Sequence, residues 1–473
     1  MSTLNTIVAL VYLAAAVAFV VGLHLMNSPA SARRGSQWSS AGMIVAVAVT
    51  LAKIADNSSI TGIGWAVLGA GAVIGAAVGL QMARKVKMTA IPQLVSLFNA
   101  VGGGAAAVIA IADFARLANG AANAISSRTM VATVLDVIIG SVTFSGSLIA
   151  AGKLQGWISG QPIAFKGARA TTVALAAVAI GGGCYLFTGA DNVTVLLLIV
   201  AAALIFGVTM VLPIGGADMP VVIALLNACT GIAVAMAGFV INNTGLIVAG
   251  ALVGASGGIL TKLMADAMNR AIIKIILGGF GTGDTKVVTV TGAGGDIRSL
   301  SADDAAIQLA YANRVVIVPG YGLAAAQAQR EVRELAEMLE SRGADVAFAI
   351  HPVAGRMPGH MNVLLAEVNV PYTQLKEMDE INPEFPATDV ALVVGANDVT
   401  NPAARRPNTP ISGMPILDVD RAKNIIVIKR SMGHGYAGID NELYTDPKTG
   451  MYFADAKKGL AEIVAAVKTL VAT

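Results

Sequence analysis

The chain has 473 residues, of which 55% are hydrophobic and 13% are charged, and its formal net charge is +3. This balance excludes an ordinary soluble globular protein. Residues 1–265 hold twelve Lys or Arg, five Asp and no Glu, whereas residues 266–473 hold twenty Lys or Arg and twenty-four Asp or Glu. A membrane part of charge +7 followed by a soluble part of charge −4 is therefore indicated.

Apolar stretches fill the membrane part. Each is close to the roughly 20 residues that a helix needs to cross a ~30 Å hydrocarbon core. They predict a multi-span α-helical membrane domain of about nine helices over residues 1–265, with the second span the shortest. The predicted spans are 3–26, 38–55, 60–83, 89–112, 129–151, 170–188, 191–212, 218–239 and 243–265.

The basic residues of the loops predict the orientation. The loops after the first, third and fifth spans carry eight Lys or Arg, and the opposite side carries three. The positive-inside rule places the richer side in the cytoplasm. An odd number of spans then leaves the N-terminus outside and puts the C-terminal domain in the cytoplasm, where nucleotides are.

Two asparagines lie deep within predicted spans. Asn99 comes about ten residues into the fourth span and Asn227 about nine residues into the eighth. At 1.5 Å per residue, each amide lies ~14–15 Å from the cytoplasmic side, near the midplane. Polar groups at this depth mark transport pathways, but two amides also suit interhelical hydrogen bonding, and both interpretations stay open.

The membrane part offers few other polar candidates. Asp218 stands at the mouth of the eighth span, as a proton exit or a helix N-cap. Asp136 lies two turns into the fifth span, and pairing with Arg128 or Arg116 is its favoured role. His24 falls at the end of the first span as an interfacial residue, so the chain has no midplane imidazole, the group that proton paths commonly use.

The soluble part alternates strand and helix patterns. Residues 266–300, rich in Gly and polar residues, predict a linker, and residues 301–473 predict a C-terminal α/β Rossmann-like doubly wound domain. Ligands of such a sheet bind at the carboxyl ends of its strands. Strand patterns occur at 314–319, 344–350, 389–395, 424–430 and 451–454, and helical patterns at 301–312, 324–342 and 456–471.

A glycine turn, GYGLAA at residues 320–325, joins the first predicted strand to its helix. Such a turn lets the backbone approach a pyrophosphate while the helix N-terminus supplies N–H groups. Ala325 takes the place of the third glycine. The motif alone is a weak signal of dinucleotide binding.

The strand ends favour NADP(H) over NAD(H). An NAD site usually has Asp or Glu at the end of its second strand, but this strand ends at His351. Lys429, Arg430 and Ser431 follow a later strand instead, and two cations with a hydroxyl suit a 2′-phosphate. A solvated strand edge is the alternative explanation.

Three further turns contribute candidate groups. GRMPGH at 355–360 places an arginine where it suits a pyrophosphate, and GAND at 395–398 places an amide and a carboxylate at a strand end. GHGYAG at 433–438 has the composition of a flexible loop that closes over a bound nucleotide.

Seven segments stand out together in chain order: ADMPVVIALLNA at 217–228, ADAMNRAI at 265–272, GYGLAAAQAQ at 320–329, HPVAGRMPGHMNVLLAE at 351–367, MDEIN at 378–382, GAND at 395–398 and KRSMGHGYAG at 429–438. Over essentially the whole chain, they resemble the β subunit of proton-translocating NAD(P) transhydrogenase.

The resemblance implies a translocase that works with a partner. NADP(H) is expected on this chain and NAD(H) on the transhydrogenase α subunit(s), which also carry further membrane helices. Hydride is expected to pass between the two nicotinamides, coupled to inward proton passage. The resemblance further implies the bacterial cytoplasmic (inner) membrane, a dimer of heteromeric protomers, and no metal or nucleic acid.

The implied nucleotide contacts lie mainly in the turns described above. The family's nucleotide lies reversed relative to the usual dinucleotide fold, so the glycine turn is not expected to act as in ordinary dehydrogenases. The implied cofactor-binding residues are Gly320, Tyr321, Gly322, Ala325, Val353, Ala354, Gly355, Arg356, Met357, Pro358, Gly395, Ala396, Asn397, Asp398, Gly413, Met414, Lys429, Arg430, Ser431, Met432, Gly433, His434, Gly435, Tyr436, Asp455 and Ala456.

The resemblance also implies catalytic and coupling positions. Asp398, Asn227 and Asp218 match functional positions, and Arg270 matches a basic residue where helices meet the nucleotide domain. Asn99 stands where some relatives carry a channel histidine, which others place on a companion membrane subunit, as is expected here. Protonation near Asn99 and Asn227 is expected to switch the NADP site between closed and exchanging states.

An ion transporter gated by a cytoplasmic NADP(H)-sensing domain is the alternative function. Such a channel is expected to carry a filter loop between membrane helices. The GYG sequence at 320–322 lies in the soluble part instead, and no TVGYG-type filter occurs elsewhere. The transhydrogenase function is therefore favoured.

Overall fold

The fold is described from a computed structural model of the chain. The described residues are 3–471, apart from 27, 57–59, 119–124, 160–161, 164, 166, 189–191, 216–217, 269–271, 274, 276–296, 356–358, 408, 410, 434, 436 and 438. They divide into a helical unit and a sheet unit, each described by itself. The predicted linker at 266–300 lies mostly outside the described residues, so its boundaries stay predictions.

The described residues of the helical unit form long apolar helices. Eight of them are long and apolar enough to cross a bilayer, and a ninth contributes the shorter apolar segment Ala170–Leu186, so the predicted multi-span domain is confirmed. The helices are α1 (Thr3–Leu25), α2 (Pro29–Asp56), α3 (Gly62–Lys85), α4 (Ile91–Ala118), α5 (Ser127–Gln155), α6 (Ala168–Leu186), α7 (Val193–Val211), α8 (Met219–Val240) and α9 (Thr244–Ala267).

α2 differs most from its predicted span. It has 28 residues, where the sequence predicts the shortest span, at 38–55. Proline is tolerated in the first helical turn, and the Ser, Arg and Gln residues that follow Pro29 do not break a helix. The helix therefore continues beyond its apolar segment.

α4 and α5 pack as an antiparallel pair. A Cβ at Gly103 would lie 3.0 Å from the Gly140 carbonyl oxygen, and one at Gly140 would lie 2.5 Å from the Gly103 carbonyl oxygen. Two glycines facing each other let the backbones approach more closely than side chains allow. The two backbones therefore lie close together at this pair.

The sheet unit contains six parallel strands in the order β3-β2-β1-β4-β5-β6. The order reverses between β1 and β4, which defines the switch point of a doubly wound sheet. The predicted Rossmann-like fold class is confirmed. The strands are β1 (Arg314–Pro319), β2 (Asp345–Ile350), β3 (Leu375–Glu377), β4 (Val390–Val394), β5 (Asn424–Lys429) and β6 (Thr449–Phe453).

Both faces of the sheet are covered. Alternate strand residues enter opposite cores, with Val315 and Ile317 in one and Val316 and Val318 in the other. Strands buried on both faces are continuous apolar runs, which explains the sequence pattern. The helices of this unit are α10 (Ala302–Ala310), α11 (Tyr321–Ala326), α12 (Gln329–Ser341), α13 (His360–Glu367), α14 (Met378–Ile381) and α15 (Ala456–Val471).

The single helix predicted at 324–342 is wrong. Gln327 adopts a left-handed conformation with φ 54°, which ends α11 and separates it from α12. Residues other than glycine rarely adopt this conformation. Because the helix breaks at a glutamine and not at a glycine or proline, the sequence gives no sign of the break. β3 and α13 were also not predicted, because β3 has only three residues and no apolar run.

At the switch point, the loops after β1 and β4 touch backbone to backbone. The N–H of Gly320 donates to the Val394 carbonyl at 2.9 Å and that of Gly322 to the Gly395 carbonyl at 3.0 Å. A Cβ at Gly322 would lie 2.6 Å from the Gly395 Cα. The glycines of the turn are therefore required, on this side, for packing against protein backbone.

We predict that Gly395→Ala destabilises the sheet unit much more than Gly343→Ala. Both glycines have positive φ, +69° and +89°, so both variants carry left-handed strain of about 1–2 kcal/mol. A Cβ at residue 395 would also lie 2.3 Å from the Gly322 Cα, whereas nothing lies within 4 Å of one at residue 343. The added clash is expected to cost roughly 1–3 kcal/mol more.

Thermal unfolding of the two variants of the full chain measures this difference. Equal losses of thermal stability in both variants would show that the loops after β1 and β4 accommodate the added methyl group without a free-energy cost.

Candidate functional site

Most predicted nucleotide residues gather at the carboxyl ends of the strands. Gly320 to Gly322 follow β1, Gly395 to Asp398 follow β4, and Lys429 to Ser431 end and follow β5. Parallel strands bring these ends to one edge of the sheet. Arg356, Met357, Pro358, His434, Tyr436 and Arg270 lie outside the described residues.

The loop after β5 closes onto Asp398. The N–H of Ala437 donates to Asp398 Oδ2 at 3.0 Å. A Cβ at Gly435 would lie 2.3 Å from Asp398 Oδ1, so only glycine fits at that position without displacing the carboxylate. Asp398 therefore joins the end of β4 to the segment predicted to cover the nucleotide.

A buried polar cluster orients Asn397. The Tyr444 hydroxyl donates to Asn397 Oδ1 at 2.9 Å, and Asn441 Nδ2 donates to the same oxygen at 3.3 Å and to the Asn397 carbonyl at 3.0 Å. Burial raises the pKa of Tyr444 above its ordinary value, so the phenol stays protonated and can donate. Within the described part of the chain, the Asn397 Nδ2 group makes no hydrogen bond.

Lys429 is half-buried beside this cluster. Its Nζ lies 4.6 Å from the centroid of the Tyr444 ring and donates to the Gly433 carbonyl. Burial lowers the pKa of Lys429 below its ordinary value, and the carboxylates of Asp398 and Asp440 oppose this shift. A partly desolvated cation of this kind gains from a bound anion.

Arg430 and Ser431 complete the cationic turn after β5. Both side chains are exposed, and among the described residues Arg430 makes no ion pair. The N–H of Gly433 lies 3.5 Å from Ser431 Oγ, so the hydroxyl is held within its own turn. Exposed donors beside a half-buried lysine fit a ligand with a terminal phosphate.

His351 fixes the turn after β2. The ring is 1% exposed, its Nδ1 accepts from the Val353 N–H at 3.2 Å, and its Nε2 lies 2.8 Å from the Pro415 carbonyl. Because Nδ1 accepts, Nε2 must carry the proton and donate. Burial lowers the pKa of His351 to about 4 and the hydrogen bond to Pro415 opposes the shift, so the ring is neutral near pH 7.

The remaining predicted contacts lie around this edge. Gly413 has φ +75° and donates its N–H to the Ala404 carbonyl at 2.8 Å, while Met414 packs against a small apolar cluster. Asp455 accepts from the Lys457 N–H at 3.1 Å at the start of α15. The other described members of the predicted set are exposed at Ala325, Met432 and Gly433, partly buried at Tyr321, Val353 and Gly355, and buried at Ala354, Ala396 and Ala456.

In the helical unit, Asn99 bonds to the backbone of α8. Its Nδ2 donates to the Ile223 carbonyl at 3.3 Å, and Thr230 Oγ1 donates to the Asn99 carbonyl at 3.2 Å. Asn227 lies between Ile223 and Thr230 on the same face of α8. Asn99 therefore makes an interhelical hydrogen bond. A role in proton passage for Asn99, Asn227 and Asp218 stays a prediction.

The predicted pairing of Asp136 is wrong. Arg116 instead pairs with Asp113 at 2.6 Å, one turn away on the same helix, and Arg128 lies 5.1 Å over the Phe239 ring. The Asp136 side chain is 0% exposed, and neither carboxyl oxygen has a hydrogen-bond partner in the described part of the chain.

Asn441, Tyr444 and Asn401 were missed by the sequence reasoning. Asn401 lies three residues after Asp398, and Asn441 and Tyr444 lie after the 433–438 loop in the segment NELYT, which has no recognisable motif. Asn401 Nδ2 donates to the Asp440 carbonyl at 3.0 Å, which fixes the segment against the loop after β4. Only the buried character of Leu443 and Tyr444 within a polar segment could have indicated this contact.

We predict that His351 makes the stability of the sheet unit depend on pH. Its folded pKa of about 4 lies below the unfolded value of 6.5, so its contribution is complete above pH 6.5 and is lost as pH falls towards 4. The difference corresponds to about 3 kcal/mol.

Thermal unfolding between pH 7.5 and 4.5 tests this in the wild type and in His351→Gln, whose amide cannot titrate. The acid-induced loss should shrink in His351→Gln but persist in the control His24→Gln. Identical pH profiles in all three proteins would contradict the assignment.

Comparison with known proteins agrees with this arrangement. A profile of the family described as NAD(P) transhydrogenase beta subunit matches residues 8–466. Two relatives named NAD(P) transhydrogenase subunit beta, both from Rhodospirillum rubrum, are 46% identical to this chain over 462 residues, covering 96% of this chain and 98% of the relative. The chain therefore belongs to the NAD(P) transhydrogenase beta subunit family.

Proposed function

We propose that this chain binds NADP(H) at the carboxyl edge of its sheet and couples hydride transfer to proton passage through its helices. The observation that carries the proposal is the cationic turn of Lys429, Arg430 and Ser431 beside Asn397 and Asp398. It lies next to the switch point, where doubly wound sheets bind their ligands.

The residues present fit a phosphorylated dinucleotide. Lys429 and Arg430 would hold the 2′-phosphate, with the Ser431 hydroxyl as a further donor. Tyr444 and Asn441 occupy Asn397 Oδ1, so the Asn397 Nδ2 group is oriented to donate to the ligand. When bound, the nicotinamide supplies the hydride acceptor or donor, and the protein supplies position and charge.

We propose that Asp398 holds the loop after β5, which covers the nucleotide, in its closed position. Its carboxylate holds the Ala437 N–H while the loop is closed. Release of that hydrogen bond would open the path for exchange of the nucleotide. Asp398 thereby acts as a positioning residue between the end of β4 and the loop, consistent with its predicted functional role.

The partner and the membrane complete the proposed activity. The word beta in the family name implies an alpha subunit, which we propose to carry NAD(H). We place the chain in the bacterial inner membrane, with the sheet unit in the cytoplasm. We propose that the complex is a dimer of heteromeric protomers. One charge crossing 100 mV supplies ~2.3 kcal/mol, enough to bias a hydride exchange between similar nicotinamides.

We predict that Lys429→Ala and Arg430→Ala each weaken NADP(H) binding at least tenfold and leave NAD(H) binding unchanged. A charge-assisted hydrogen bond to phosphate contributes roughly 1.5–3 kcal/mol. The matched control is Lys423→Ala at the opposite end of β5, where Lys423 pairs with Asp389 at 2.7 Å.

Calorimetry on the full chain in lipid nanodiscs measures the affinities. Preference for NAD(H), or equal losses in all three variants, would refute the proposed site. If the wild type bound NADP(H) tightly but its complex with the partner transferred no hydride, a channel gated by an NADP(H)-sensing domain would replace the proposal.

We also predict that Tyr444→Phe lowers NADP(H) affinity roughly five- to tenfold, the effect of about 1 kcal/mol. The variant loses the hydrogen bond that orients Asn397 while it keeps the ring beneath Lys429. Tyr452→Phe is the control, because the Tyr452 hydroxyl bonds to Glu462 on the side of α15. Wild-type NADP(H) affinity in Tyr444→Phe would show that the orientation of Asn397 does not contribute to NADP(H) binding.

A further inference from the structure

Unsatisfied buried oxygens in the helices gather between α4 and α5. Within the nine helices, as far as their residues are described, such side-chain atoms belong to Gln93 on α4 and to Asp136 and Ser147 on α5. Buried polar atoms in proteins almost always have a partner, either protein or ordered water. Three exceptions on two packed helices therefore point to water along their contact, here named the α4–α5 seam.

The register of the helices places these residues along the seam. Gln93 Nε2 donates to the Leu154 carbonyl at 3.2 Å, and Ser96 Oγ donates to the Ser147 carbonyl at 2.8 Å. These contacts define one end of the seam. The facing glycines of α4 and α5 lie farther along it, where their small size leaves the backbones in contact.

Asp136 lies on the same face of α5 as the rest of the seam. Asp136, Gly140, Thr143 and Ser147 follow at spacings of four, three and four residues, which one helix face requires. Gly140 and Thr143 both contact Gly103 of α4. Asp136 therefore continues the seam about 16 Å beyond Ser147 along α5.

Within the described helices α4 to α8, Asp136 is the acidic group that lies in the interior of a helix rather than near its end. α7 and α8 contain no Asp, Glu, Lys, Arg or His, α6 contains Arg169 in its first turn as its one such residue, and in α4 such residues begin only at Asp113. Asp136 lies nine residues after Ser127, about 13 Å along the helix and near half of a ~30 Å core. Burying a carboxyl group without a protein partner inside a membrane costs free energy, and such residues usually serve a function.

We propose that Asp136 is a proton-binding residue at the α4–α5 seam that exchanges its proton with water. This rests on the proposed proton coupling and names a titratable group for it on this chain. The carboxylate takes a proton from a hydronium ion on one side: an O–H bond of the hydronium breaks, an O–H bond forms at the carboxylate, and water is left. The carboxylic acid then gives a proton to a water on the other side, which becomes hydronium, so the carboxylate returns to its starting state.

The test uses the full chain with its partner subunit in proteoliposomes. Proton uptake is followed with an enclosed pH-sensitive dye while NADH reduces NADP+. Asp136→Asn, which mimics the neutral acid but cannot titrate, should lower both rates more than tenfold, and Asp136→Glu should restore at least a third. Asp113→Asn, which removes the paired carboxyl of α4, is the matched control and should leave them unchanged.

Wild-type rates in Asp136→Asn would overturn the proposal. If the wild type itself showed hydride transfer without proton uptake, the proposed function would fail instead. Infrared difference spectra between the NADP+ and NADPH states give an independent readout of the wild type. A carboxylic-acid C=O band that is lost in Asp136→Asn is expected, and absence of that band from the wild type would overturn the assignment whether or not the variant folds.

Discussion

The contact between two backbone segments at the switch point constrains the whole candidate site. Gly320 and Gly322 meet Gly395 so closely that a methyl group at any of them would clash with protein backbone. This contact fixes the point at which the chain leaves β4. The positions of Asn397 and Asp398 follow from it, since they are the next residues along the chain. These glycines are required for the packing of the two loops, independently of any role in nucleotide binding.

Buried polar groups connect this contact to the loop after β5 and hold that loop in place. Asn397 is held by Tyr444 and Asn441, Asp398 by the Ala437 N–H, and the ring of Tyr444 lies beneath Lys429. A hydrogen bond in this partly buried setting is stronger than in water. The cationic turn is thus connected to the glycine contact through hydrogen-bonded side chains.

The sequence predicts the parts of the fold that local patterns control. The apolar runs of β1, β4 and β5 are buried on both faces and were therefore recognisable, and so were the long apolar helices. The break at Gln327 carries no breaker residue, and β3 is too short to show a pattern. The surroundings of Asp136 and the hydrogen-bond partners of Asn397 depend on which helices and loops meet in three dimensions. Proximity in sequence suggested an arginine for Asp136, and the fold places those arginines elsewhere.

The central claim is that proton passage and NADP(H) chemistry are coupled in one complex. It is tested most directly by hydride transfer from NADH to NADP+ in proteoliposomes that contain this chain and its partner, under an imposed proton gradient. We expect a rate that rises with a proton gradient directed towards the sheet unit and that falls, when a protonophore is added, to the rate measured without a gradient. A rate that is independent of the gradient and of the protonophore would contradict it.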